Sequence, residues 1–144
     1  MQNTQIGIDA NIQDLLIANY QRMVAFDQAA HLTQEEEMKD FYNSKAEESE
    51  NNLKQLCACL NIDEDKAIAM ASANNSPLSH LQPMVQNRKN SLGILNAVKL
   101  LEKSLIKWYR DSIAELKSLP NDIMEIIQGQ FQSMVQGQLQ LNNL

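Results

Sequence analysis

The chain has 144 residues, 44% of them apolar and 21% charged, with four Gly, three Pro and a formal charge of −6. That is one domain with a real core, and the scarcity of β-branched clusters and alternating runs argues against a sheet. The negative charge argues against non-specific nucleic-acid binding, which needs cations to neutralise phosphates. No apolar run approaches the ~18–20 residues of a membrane span, and MQNTQIGIDANIQ has neither the basic nor the apolar region of a signal peptide. A cytoplasmic protein with no nucleic-acid or membrane partner is expected.

In chain order, the first helix is expected over about 9–31, opened by Asp9 or Asn11. Its stripe passes through Ile12, Leu15, Leu16, Tyr20 or Asn19, Met23, Phe26 and Ala30. The second is expected over about 34–60. Thr33 and Glu36 have the spacing of a capping box, and Glu35, Glu36 and Glu37 suit the positive end of a helix dipole. Its middle, from Lys45 to Asn52, holds only Ala46 as an apolar residue, and Glu48, Ser49 and Asn52 fall towards the inside.

Cys57 and Cys59 are two apart and point ~200° from each other on a helix. They read as small packing residues kept reduced rather than as a bridge or metal pair. A short helix is expected over about 63–73. Asn74-Asn75 breaks it, and Ser76-Pro77 has the form of an N-cap followed by proline. His80 reads as a loop residue.

The strongest pattern belongs to the third long helix, over about 89–118. Leu95, Val98, Leu105, Tyr109, Ser112, Leu116 and Leu119 recur at three- and four-residue steps, with one gap filled by Glu102. A carboxylate thus stands where a core residue is expected, and Gly93 is a point for a kink. Trp108, on the flank of the stripe, reads as a partly buried packing residue. The last helix, about 120–142, carries Ile123, Ile126, Ile127, Phe131, Met134, Val135, Leu139 and Leu141, with Gln130 and Gln138 on or beside the stripe.

From Ile126 to Leu144 there is no charged residue, and six Gln lie between 128 and 140. This helix is expected to pack on another subunit or partner, because amides enter an interface without the desolvation cost of a charge. Charge is uneven elsewhere. Glu35, Glu36, Glu37, Asp40, Glu47, Glu48 and Glu50 dominate helix two; Arg88, Lys89, Lys99, Lys103, Lys107 and Arg110 dominate helix three. Two solvated faces that attract each other within the fold or across a dimer are one reading, and a partner surface is the other.

Two hairpins with short turns and one long helical crossover between helices two and three make an all-α, ferritin-like up-down four-helix bundle, a single domain over 1–144. The hairpins also match each other weakly. Met38, Phe41, Tyr42, Ser49 and Leu56 align with Ile123, Ile126, Ile127, Met134 and Leu141 at a constant offset, and Phe26 aligns with Tyr109 at nearly the same one.

Three stretches carry a likeness. They are DLLIANYQRMVAFDQAA in helix one, the set Leu95, Glu102, Ser104, Lys107 and Tyr109 in helix three, and Leu119-Pro120 before helix four. On these the chain resembles a group of bacterial ferritin-like four-helix-bundle proteins, a domain family of unknown function. The resemblance implies the fold and no particular reaction. Phe26 stands where the family pattern has Tyr, and Gln28 where it has Glu.

The chemistry of such bundles is a di-metal site built from one Glu on each of two helices and a Glu-x-x-His pair on each of the others. Glu102 and Glu48 are the weak candidates for metal ligands. Three residues beyond Glu47 and Glu48 stand Glu50 and Asn51, not His, and the only histidines are His31 and His80. No complete metal site and no cofactor is expected.

Three readings of Glu102 remain: at the edge of the stripe beside solvent or a Lys; buried in a polar layer with Tyr20, Asn52, Tyr109 and Gln130; or part of a ligand site. The function expected is non-enzymatic, a protein-interaction or stress-related structural bundle, as a homodimer or with another protein. The alternatives are a di-iron-type metal-binding protein and a small acidic chaperone or adaptor.

Overall fold

The computed structural model describes residues 10–73, 90–116 and 119–144. Asp9, Ser76-Pro77, His80, Arg88, Lys89 and the far end of the third long helix lie outside the described residues. Five α-helices follow one another: α1 (Ala10–Leu32), α2 (Glu36–Leu60), α3 (Glu64–Ala73), α4 (Ser91–Glu115) and α5 (Asn121–Asn142). There is no strand among the described residues, and none of these helices is long and apolar enough to cross a membrane.

The helix ends follow local chemistry. The capping box expected from Thr33 and Glu36 is not formed. The backbone N–H of Thr33 bonds back to the carbonyl of Ala29, so Thr33 finishes α1 instead of opening α2. The cap position of α2 is Glu35, without a side-chain cap. At the other end Asn61 adopts the left-handed conformation (φ 57°), and the N–H groups of Asn61 and Ile62 close onto the carbonyl of Cys57. The oxygen of Asn90 caps α4 by accepting from the N–H of Gly93 at 2.7 Å, so this glycine lies in the first turn rather than at a kink.

Helix α1 is the hub. It packs on α2, α3 and α4, whereas α5 rests on α4 and, more lightly, on α2. Twelve of the 23 residues of α1 are buried, spread around much of its circumference, as a helix enclosed on several sides requires. Side-chain contacts fix the directions. Asn52 with Asn19 and Ser49 with Arg22 set α2 antiparallel to α1; Arg22 with Glu102 and Asp14 with Ser112 set α4 antiparallel to α1. Glu48 with Ser133, and Tyr109 with Gln130, set α5 antiparallel to both α2 and α4.

The residues aligned between the hairpins lie at matching depth. Tyr42, Ser49 and Leu56 are buried, as are Ile127, Met134 and Leu141; Met38 and Phe41 are half-buried, as are Ile123 and Ile126. Among the described residues the backbones of α2 and α4 do not come close, and no ion pair joins the acidic side chains of α2 to the basic ones of α4.

Candidate functional site

Halfway along the bundle the apolar core gives way to a layer of polar side chains from all four long helices. Its centre is Arg22 on α1, fully buried. The guanidinium grips Glu102 of α4 with two parallel bonds, Nε to Oε1 and Nη2 to Oε2, both 2.7 Å. Its Nη1 donates to Oε1 of Glu48 at 2.7 Å and to the hydroxyl of Ser49 at 2.9 Å, both on α2. Four of the five guanidinium N–H bonds are thereby used, in the fork geometry that lysine does not possess.

Glu48 faces outwards with its other oxygen. There it accepts from the hydroxyl of Ser133 on α5 at 3.2 Å and lies 3.6 Å from Nζ of Lys45. Two carboxylates and two cations make the cluster neutral. Phe26, one turn along α1, places its ring 5.2 Å from the Arg22 guanidinium carbon. Gly137 lets α5 approach: a Cβ there would lie 3.4 Å from both Nη2 of Arg22 and Nζ of Lys45. Burial on its own would lower the pKa of Arg22; the charges and bonds of Glu102, then of Glu48, outweigh that and hold the guanidinium above its ordinary value.

A second, neutral chain of hydrogen bonds runs beside the first. Nδ2 of Asn19 donates to the carbonyl of Leu15 and to the hydroxyl of Tyr109, and Oδ1 of Asn19 accepts from Asn52. Tyr109 donates to Oε1 of Gln130 at 2.7 Å, and the Gln130 amide donates to the carbonyl of Asn52 and to Gln55. Burial pushes the phenol of Tyr109 above its usual range, against the hydrogen bond from Asn19 and the nearby charge of Arg22, which lower it. Phe131 stacks on the Tyr109 ring at a centroid distance of 6.2 Å.

The structure brings Asn52, Tyr109 and Gln130 together around Asn19, whereas Glu102 bonds to Arg22 in the neighbouring charged cluster. Tyr20 stands apart, half-buried against apolar core side chains. The partner of Glu102 is none of the residues expected but Arg22, which sequence reasoning missed because Met23 was placed at the centre of the α1 stripe. Met23 is only half-buried. A signal was present: Leu15, Asn19, Arg22, Phe26 and Ala29 recur at the same helical steps, and Arg22 is the only Lys or Arg in α1. A core carboxylate on one helix calls for a cation on a facing one.

Glu48 and Glu102 do converge, but on one guanidinium. His31 is exposed at the end of α1, and among the described residues no three His, Cys, Asp or Glu side chains are placed to hold a metal ion. The described residues do not fit a di-metal centre. Cys57 is buried and Cys59 half-buried; both are free, and burial raises the pKa of each thiol.

A separate groove of about 540 Å³ lies between α1 and α2, where Asp27, Glu47 and Glu50 surround Met23, Val24 and Ala46. No His or Cys lines it, and nothing in it pairs a nucleophile with a base.

One core hydroxyl lacks a partner. The Tyr42 OH is buried with no hydrogen bond among the described residues. Burial, with a smaller contribution from Glu35, pushes its pKa up to about 12. Tyr42→Phe removes an unsatisfied group and is expected to stabilise the fold by about 1 kcal/mol in chemical denaturation. The unfolded phenol ionises near 10 and the folded one near 12, so the wild type loses stability as pH rises through this window. The variant loses less stability there, and its absorbance titration at 295 nm has one late-ionising phenol fewer, that of Tyr109 remaining.

No protein-family model, no curated protein and no solved structure matches the chain.

Proposed function

We propose that the protein is a metal-free structural bundle of ferritin-like connectivity that works by contact with protein surfaces, not by catalysis. The connectivity is supported by the antiparallel ring of α1, α2, α5 and α4, with short turns inside each hairpin and one long connection between them.

The observation that carries the metal-free part is Arg22. In a di-metal bundle the inward carboxylates neutralise and bridge cations. Here a fixed organic cation stands between Glu48 and Glu102 and uses their oxygens. A metal ion entering this layer would have to displace a buried guanidinium and leave it without its anions, at a cost of several kcal/mol. The layer serves instead to set helix register, since sliding α1 against α4 by one turn would leave Arg22 and Glu102 unpaired in the core.

The test is metal retention. Protein incubated anaerobically with excess ferrous iron, or with zinc, and then desalted is expected to carry no stoichiometric metal. One or two ions per chain, lost in Glu102→Gln, would overturn the reading and make Glu102 a ligand.

A further inference from the structure

The outer face of α5 points to a binding partner. Helix α5 buries only five of its 22 residues. Beyond Asp122 and Glu125, which are exposed near its start, its exposed positions include Gln128, Gly129, Gln132, Gln136, Leu139 and Gln140, and no charged side chain lies from Ile126 to Leu144. Leu139 is 59% exposed and Leu144 54%. Gly129 has no described atom within 4 Å of where a Cβ would be. A glycine in mid-helix weakens the helix, and nothing among the described residues gains from it. Its use is the close approach of something from outside.

We infer that this face is the seat of a homodimer, α5 against α5 of a second copy, antiparallel about a twofold axis at the level of Met134. This rests on reading the protein as one that works by contact, and it names the partner.

Two arguments select a second copy. The first is charge. With a net charge of −6 two copies repel, and a neutral face is where identical surfaces meet without like-charge contact. Helix α2 instead exposes Glu36, Glu37, Asp40, Glu47 and Glu50, and α4 exposes Lys103, Lys107 and Arg110. The second argument is self-complementarity, which an isologous interface requires. Antiparallel pairing about that axis brings Leu139 of the second copy level with Gly129, Gln136 level with Gln132, and Gln140 level with Gln128. The projecting leucine lies beside the gap that Gly129 leaves, twice by symmetry. The amides face amides, each able to donate and to accept. The charge-free part of the helix, from Ile126 to Asn142, spans about 25 Å, so the contact lies at the small end of specific interfaces.

The experiment is size-exclusion chromatography with light scattering on the full chain, from a few to roughly 100 micromolar, a range that brackets a dimer of this size. The wild type is expected to rise with concentration from 16.3 kDa to about twice that mass. Leu139→Glu places two charges in the contact and is expected to hold the protein at the monomer mass, with helix content unchanged. Gly129→Leu, which favours the helix but fills the gap, is expected to do the same. Gly129→Leu combined with Leu139→Gly restores the knob and its socket and is expected to restore the dimer.

A wild type that stays monomeric, or a dimer that survives both single variants, overturns the proposal. So does a dimer that ignores them but dissociates in ~1 M salt, where exposed charges are screened; the acidic α2 face of one copy would then be meeting the basic α4 face of another. A monomeric wild type leaves the metal-free reading standing, whereas stoichiometric iron overturns that reading whatever the oligomeric state.

Discussion

Arg22→Met is expected to lower the free energy of unfolding by about 3–5 kcal/mol, because it leaves Glu102 buried without its cation. For a chain of this size that corresponds to a fall in Tm of roughly 10–20 °C. Both oxygens of Glu102 accept from Arg22, and the side chain is fully buried, so no water reaches it to compensate. Glu102→Leu alone is expected to cost about as much, for the opposite reason: Arg22 keeps Glu48 but loses its bidentate partner. The double variant Arg22→Met/Glu102→Leu is expected to regain most of the loss, since a buried ion pair replaced by apolar side chains of similar volume is often neutral or stabilising. Glu48 tolerates the change, because it is 23% exposed and keeps Lys45 and Ser133. Arg22→Lys is not conservative at this position: an ammonium cannot hold two oxygens of Glu102 in a fork and also reach Glu48. Guanidinium-chloride unfolding of the four variants measures the coupling directly. A double variant as unstable as the sum of the singles would show that the layer acts through packing and not through its charges.

The same charges explain which parts of the molecule were legible in its sequence. The α4 stripe is drawn by large apolar residues on a helix with one buried side, and there the periodicity located both the helix and its anomaly, Glu102. Helix α1 is enclosed by α2, α3 and α4, so its small and apolar residues are buried in several directions and a single stripe is poorly defined. Through Ile12, Leu16 and Met23 the pattern looked wholly apolar; one position earlier it passes through Asn19 and Arg22. Choosing between them needed the facing helix, because a buried arginine and a buried glutamate make sense only as a pair.

The turn between α1 and α2 misled for a different reason. Thr33 and Glu36 have the spacing of a capping box, but whether a threonine ends one helix or begins the next depends on where its own N–H bonds, and that is settled by the angle of the hairpin. The outer face of α5 was visible as a run without charge. That Gly129 and Leu139 sit on it together followed once the buried side of the helix was known.

Gln130→Leu is expected to cost about 2 kcal/mol, less than the loss of Arg22, because the groups it strands are neutral. Gln130 is where α5 joins the polar layer. Its carbonyl takes the Tyr109 proton, and its amide reaches the Asn52 carbonyl and Gln55. Gln55 is exposed and turns to water. The Tyr109 hydroxyl cannot turn to water: it is buried and still accepts from Asn19, but its own hydrogen is left without an acceptor. The cost therefore falls on one buried donor, offset in part by the apolar contact that leucine makes beside Phe131. Tyr109→Phe strands the amide oxygen of Gln130 and one hydrogen of Asn19 instead, and is expected to cost a similar amount. With both changes present neither orphan remains between α4 and α5, so the double variant is expected to lie well above the sum of the singles, with a coupling of about 1–2 kcal/mol in a double-mutant cycle. Additive losses would mean that the Tyr109–Gln130 bond is incidental. A coupling of the expected size makes this bond a register mark for α5, the helix with the fewest buried residues of the four long ones.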